Sequence, residues 1–207
     1  MATEPARKRR TRSDGERSHR AILDAAARLA TLDGIDGLSI ARVADEIGMS
    51  KSGLFAHFAS KQALQLATIA TAEAIYTAEV IEPSMQLPEG LQRLEHLCKR
   101  YLSYIKRGVF PGGCFFASTA AELDSRSGPV RDRVRAVLAG WDELLKANVR
   151  AAQRSGELSQ HTDIAQLVFE INALLHEANT HYLLFHGTAA LERAQTAIAD
   201  RLGRAQG

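Results

Sequence analysis

The stretch Ser39-Ile-Ala-Arg-Val-Ala-Asp-Glu-Ile-Gly-Met-Ser-Lys-Ser-Gly-Leu-Phe-Ala-His-Phe58 decides how this chain is read. Ser39 precedes one short apolar-periodic run, 40–47, and Ser50 precedes another that reaches about Phe58. A serine hydroxyl in that place accepts one of the backbone N–H groups that a helix start leaves without a partner. Between the runs stands Gly48, which supplies the backbone freedom for a tight turn. Ala44 is small enough to let two helices approach closely. Ile40, Val43, Ile47, Leu54 and Phe58 are spaced to pack into one small core with a preceding helix. The outward side of the second run carries Ser50, Lys51, Ser52 and His57, and Gly53 lets the backbone sit close to a partner. Short polar and basic groups on the outer edge of a helix-turn-helix suit the base edges and phosphates of a DNA major groove. A plain helical hairpin explains the apolar positions but not this polar edge.

The segment just before strengthens the reading. Residues 1–20 hold seven Arg or Lys against three acids, whereas the whole chain carries a net charge of only +2. A basic head on a near-neutral body marks one end for an anionic partner. Within it, Arg7-Lys8-Arg9-Arg10-Thr11-Arg12 reads as an arm, 1–15, without regular structure, with Arg9, Arg10 and Arg12 following a DNA backbone or entering a minor groove. A solvated tail is the plainer alternative for this run.

Helical periodicity continues to the end of the chain. A first helix is predicted over 17–32, stopped at Asp33-Gly34, followed by helices at 40–47, 51–58 and 61–81. Pro83 and Pro88 bracket the next boundary; further helices are expected over 88–106, 114–123, 129–155, 163–186 and 188–202. The fold class is therefore all-α, about nine helices: a three-helix DNA-binding domain over 16–65 and a larger helical bundle over 66–207. No apolar run approaches the ~20 residues of a membrane span, and no signal-peptide pattern follows the basic head, so the cytoplasm is the expected location. Two cysteines, Cys98 and Cys114, make no disulfide framework. No phosphate loop, His-Glu-x-x-His or Gly-x-Ser-x-Gly elbow is present, and an enzyme is not expected. Neither a cofactor nor a metal is called for. His176, His181 and His186 recur every five residues, a net turn of about 140° on a helix, so they do not share a face.

Residues 39–64 resemble the helix-turn-helix of tetracycline-repressor-type (TetR-family) regulators. The resemblance rests on Ser39, Val43-Ala44, Gly48-Met49-Ser50, Gly53-Leu54-Phe55, His57-Phe58 and Ser60-Lys61-Gln62-Ala63-Leu64. It implies that Ser50, Lys51 and Ser52 face bases, that His57 and Lys61 contact phosphates, and that Arg42 touches the flanking backbone. Phe55 stands where the family usually has a tyrosine, so one phosphate hydrogen bond is lost there.

In the larger region Tyr101, Tyr104, Phe115, Phe116, Trp141 and Phe169, mixed with Asn172 and His176, form either a plain core or the wall of a cavity with a few polar anchors. The resemblance implies the cavity, with a small-molecule effector. It also implies homodimerisation through the last two helices, and Leu167, Leu174, Ala178, Tyr182 and Phe185 make the broad apolar face expected there. Together these expectations describe a regulator, expected to be a repressor, that is released from a palindromic DNA operator by an effector. The alternative is a helical protein–protein interaction module without specific DNA readout.

Overall fold

The computed structural model describes the backbone of residues 6–206 and the side chains of residues 15–206. Among the described residues the chain is all helical, and its nine helices match the expected class. They are α1 (Ala6–Asp33), α2 (Ile40–Ile47), α3 (Lys51–Phe55), α4 (61–85), α5 (Leu91–Lys106), α6 (Phe115–Leu123), α7 (Pro129–Arg154), α8 (Ile164–Phe185) and α9 (Ala189–Ala205). No helix among these residues is long and apolar enough to cross a membrane.

Three of the boundaries that differ from the sequence reading bear on how the two halves are built. First, α1 begins at Ala6, so the backbone of 6–15 is helical where an irregular arm was expected. Ala, Arg and Lys are strong helix formers, and polarity alone hid that propensity. The side chains of Arg9, Arg10 and Arg12 lie outside the described residues.

Second, α3 closes at Phe55 rather than Phe58, although the N–H groups of His57 and Phe58 still donate to the Leu54 carbonyl at 2.9 and 3.3 Å.

Third, α4 runs through Pro83. It is helical over Lys61–Tyr76, passes through a π turn at Thr77–Ile81, and regains α geometry over Glu82–Met85. A proline inside a helix has no N–H for the carbonyl four residues back, here that of Glu79. The Arg100 guanidinium of α5 takes over, donating from Nε and Nη2 to the Glu79 carbonyl at 3.0 and 2.6 Å. With that carbonyl satisfied, the helix continues.

Two apolar clusters organise the chain. The smaller joins Ile22, Leu23, Ala26 and Leu29 of α1 with Ile40, Val43 and Ala44 of α2, Leu54, Phe58 and Leu64. Each fully buried Leu, Ile or Phe there contributes about 1.5–3 kcal/mol relative to exposure. The larger cluster fills α4–α9 and also takes in Ala27, Ala30 and Ile35 from the N-terminal segment. Both α1 and α4 serve the two clusters at once: Leu64 belongs to the small one, Ile69 and Tyr76 to the large one.

Candidate nucleic-acid interface and internal cavity

The helix-turn-helix is built as its caps dictate. Ser39 Oγ accepts from Arg42 N at 3.2 Å, Ser50 Oγ from Gly53 N at 3.1 Å, and Ser60 Oγ from Ala63 N at 3.1 Å. Gly48 closes α2 in the left-handed conformation, φ 66°, which L side chains rarely adopt. The next N–H, that of Met49, donates back to the Ala44 carbonyl at 2.9 Å. This turn throws α3 off the line of α2 and leaves Ser50, Lys51, Ser52 and Phe55 exposed together. The Ser50 and Ser52 hydroxyls are 3.2 Å apart, so one already orients the other. Phe55 is 59% exposed, a large ring outside the small cluster. Gly53 and His57 are half-buried, and the His57 ring lies 5.7 Å from that of His19 on α1.

Two of the expected phosphate ligands are already engaged within the chain. Arg42 Nε donates to Asp33 Oδ2 at 3.0 Å and Nη1 to Glu46 Oε2 at 3.1 Å. The hydrogen bond to Asp33, helped by both carboxylate charges, holds the Arg42 guanidinium above its ordinary pKa. Lys61 Nζ donates to the Asp36 carbonyl at 2.5 Å. A phosphate would have to compete with these partners. Lys51 has no ion-pair partner among the described residues.

The loop between α1 and α2 is gripped from the larger cluster's side. Both carboxylate oxygens of Glu122, near the end of α6, accept backbone N–H groups: Ile35 N at 2.7 Å and Asp36 N at 2.8 Å. Arg126 pairs with the Asp36 carboxylate. The buried Gln65 of α4 donates to the Ile35 carbonyl at 2.9 Å. A second bridge runs through the turn before α6, where Gly112 N donates to Thr31 Oγ1 at 3.1 Å. A Cβ at Gly112 would stand 1.9 Å from the Thr31 carbonyl oxygen, so only glycine allows this approach. Nothing in the sequence pattern pointed to Glu122, because its partners are backbone groups far away along the chain.

The same α6 walls a cavity of about 320 Å³. Tyr101, Phe116, Trp141, Asn172 and His176 line it, as expected. Three other residues do not. Tyr104 and Phe115 are buried in the core beside it. Phe169 is 68% exposed on the outer side of α8. Tyr76, Cys114 and Asp142, which the sequence reading did not place here, complete much of the wall. Trp141 Nε1 donates to Asn172 Oδ1 at 2.9 Å, and Asn172 Nδ2 donates to Asp142 Oδ1 at 2.7 Å. Burial raises the Tyr76, Tyr101 and Cys114 pKa values, so all three remain neutral at neutral pH.

The expected dimer face also needs correction. Leu167 and Ala178 are buried in the chain's own core, and Leu174 and Tyr182 pack partly against it. Of the five residues named, only Phe185 stands open; Phe169 and Leu184 are the other large apolar residues exposed on α8. The reason is that α8 is apolar nearly all round, and period alone does not say which side faces inward.

A capped helix-turn-helix with an exposed polar edge, joined to a helical bundle that encloses a cavity, defines a DNA-binding transcriptional regulator. The chain belongs to the TetR family: the model of tetR-family bacterial regulatory proteins matches residues 22–68, and that of the tetracyclin repressor-like C-terminal domain matches residues 90–198. Among solved structures it is similar to a TetR transcriptional regulator from Chloroflexus aurantiacus J-10-FL. That pair has 26% identity and a TM-score of 0.85, covering 92% of this chain and 96% of the other. It is alike in fold to SCO4454, a TetR-family regulator from Streptomyces coelicolor, with 20% identity, a TM-score of 0.78, and 100% and 98% of the two chains covered. The fold is also that of AibR, solved in complex with isovaleryl coenzyme A and operator DNA, with 20% identity, a TM-score of 0.70, and 90% and 96% covered. No curated protein matches the chain in sequence.

Proposed function

We propose that the chain is a dimeric repressor, working in the cytoplasm on a roughly palindromic operator and released from it by a small molecule held in the cavity. Two copies lay α3 in successive major grooves about 34–36 Å apart, with Ser50, Lys51 and Ser52 toward the bases and His57 and Lys61 toward phosphates. The observation that carries this reading is α6. Its Phe116, Ala117 and Ala120 line the cavity, and its Glu122 holds the loop between α1 and α2. A ligand that displaces α6 therefore pulls on the helix-turn-helix directly, and DNA affinity falls by the ligand's differential affinity for the two arrangements.

The dimer is assigned to the outer side of α8. Phe169 and Leu184 lie 15 residues apart, about 22 Å along a helix, and both are 68% exposed. Apolar rings and side chains left open at that spacing favour a second copy as their cover. AibR, solved in complex with isovaleryl coenzyme A and operator DNA, supports the view that this fold carries a small-molecule site as well as a DNA-reading head.

The test is binding of the purified protein to a genomic fragment library at two salt concentrations, with retained fragments sequenced. Enrichment of one palindromic site is the expected outcome. Retention without sequence preference by a folded dimer would overturn the repressor reading in favour of an interaction module.

A further inference from the structure

The wall of the cavity constrains what enters it. A volume of about 320 Å³ equals roughly ten water molecules at about 30 Å³ each, space for a compact molecule of one or two rings. Four aromatic side chains, Tyr76, Tyr101, Phe116 and Trp141, stand around that space. Tyr76 meets Phe116 and Trp141 edge-on, with centroids 5.9 and 5.6 Å away. The rings thus pack on one another around one volume, which they share as an aromatic wall.

Among the lining residues there is one carboxylate, Asp142, and no Lys or Arg. Asn172 fixes that carboxylate with its amide N–H and spends its own carbonyl on Trp141. The Trp141 N–H is thereby taken as well. His176 sits at the exposed end of the cavity. An adjoining groove that shares Asp142 with the cavity carries Arg131 and Arg135 together with Asp124.

Each ligand charge meets this wall differently. An anion finds no counter-charge inside and is repelled by Asp142. A neutral apolar molecule strips water from Asp142 and gives nothing back. A cation meets an opposite charge in Asp142 and lies among aromatic rings, the side chains that attract cations. A coenzyme A thioester is too large and carries phosphates.

We infer that the cavity takes a compact organic cation, an alkyl- or arylammonium whose charge lies against Asp142 and whose body sits among Tyr76, Tyr101, Phe116 and Trp141. This inference rests on the cavity being the effector site. The experiment separates the two ideas, because Trp141 is the single tryptophan of the chain and its fluorescence reports occupancy without DNA. The full-length protein is titrated with benzyltrimethylammonium, with its neutral isostere neopentylbenzene, and with the anion 3-phenylpropanoate. The expected result is a saturable change with the cation and at least tenfold weaker binding of the other two. Asp142→Asn removes the charge but keeps an oxygen to accept from Asn172. It should weaken the cation at least tenfold and leave the neutral isostere unchanged, with an unaltered thermal melt. Binding of the neutral molecule or the anion as tightly as the cation, or indifference to Asp142→Asn, overturns the cation and leaves the cavity as effector site. No saturable response to any of the three at millimolar concentration overturns both.

Discussion

Phe55 and Lys51 stand exposed together on α3, and each carries its own prediction for DNA binding. Lys51 is exposed at the start of α3 and free of intramolecular ion pairs among the described residues, so its charge is available to a phosphate or a guanine edge. Lys51→Ala is expected to lower operator affinity; if the contact is a phosphate, the slope of log affinity against log salt falls by about one, measured by fluorescence anisotropy. Phe55 presents its ring at the same surface with no group that can donate. Phe55→Tyr adds a hydroxyl at a position where the family uses one on phosphate. Severalfold tighter binding without a change in melting temperature is expected, and unchanged affinity would show that the ring meets only sugar or a thymine methyl. At the opposite extreme lie the thiols. Burial pushes Cys98 from an ordinary 9.0 to about 12 and raises Cys114 as well. A raised thiol pKa means less thiolate below it, roughly a thousandfold less for Cys98 at pH 8. Iodoacetamide should therefore label Cys98 very slowly in the folded protein and readily after denaturation.

Among the elements, α4 and α6 carry what local pattern could not show. Caps and turns are local, which is why Ser39, Gly48, Ser50 and Ser60 gave α2, α3 and the start of α4 from sequence. Pro83 was misleading because the group that rescues the helix, Arg100, comes from α5. Arg100→Met keeps the stem and leaves the Glu79 carbonyl without those donors. It should cost about 1–3 kcal/mol in urea or thermal unfolding, and a cost near zero would mean that water serves equally well. The cavity was half legible for a related reason. Its aromatics on α5, α6 and α7 were apparent as a group, but Tyr76 and Asp142 reach it only through packing of α4 and α7. Phe169 reads as inward-facing from sequence because nothing in an all-round apolar helix distinguishes its sides. For α6 the prediction concerns coupling. Glu122→Gln leaves a single neutral oxygen in place of a carboxylate that accepts two N–H groups. The variant should bind DNA, and ligand as read by Trp141, while the ligand's effect on DNA affinity shrinks from the usual 5–150-fold range toward none. A full ligand response would sink the proposed route through α6.

For the molecule as a whole, the decisive question is what covers the outer side of α8. Phe169 and Leu184 are each 68% exposed and stand outside the chain's own core, so charging them should spare the fold and break the proposed dimer. Phe169→Glu with Leu184→Glu is expected to sediment as a monomer, to keep its melting temperature within a few degrees at matched low concentration, and to lose operator binding by orders of magnitude. A double variant that remains dimeric would place the interface elsewhere.

The sharing of α1 between two apolar clusters bears on protein engineering. Exchanging the reading head of one regulator for another presumes a seam that can be cut. Here the seam runs lengthwise through α1, with Ile22 and Ala26 on one side and Ala27 and Ala30 on the other. A graft that stops at the end of the helix-turn-helix would strand Ile35 and the landing place of Glu122. A transplant that works has to carry α6 as well, or redesign the three residues Ile35, Asp36 and Gln65 to fit the new host.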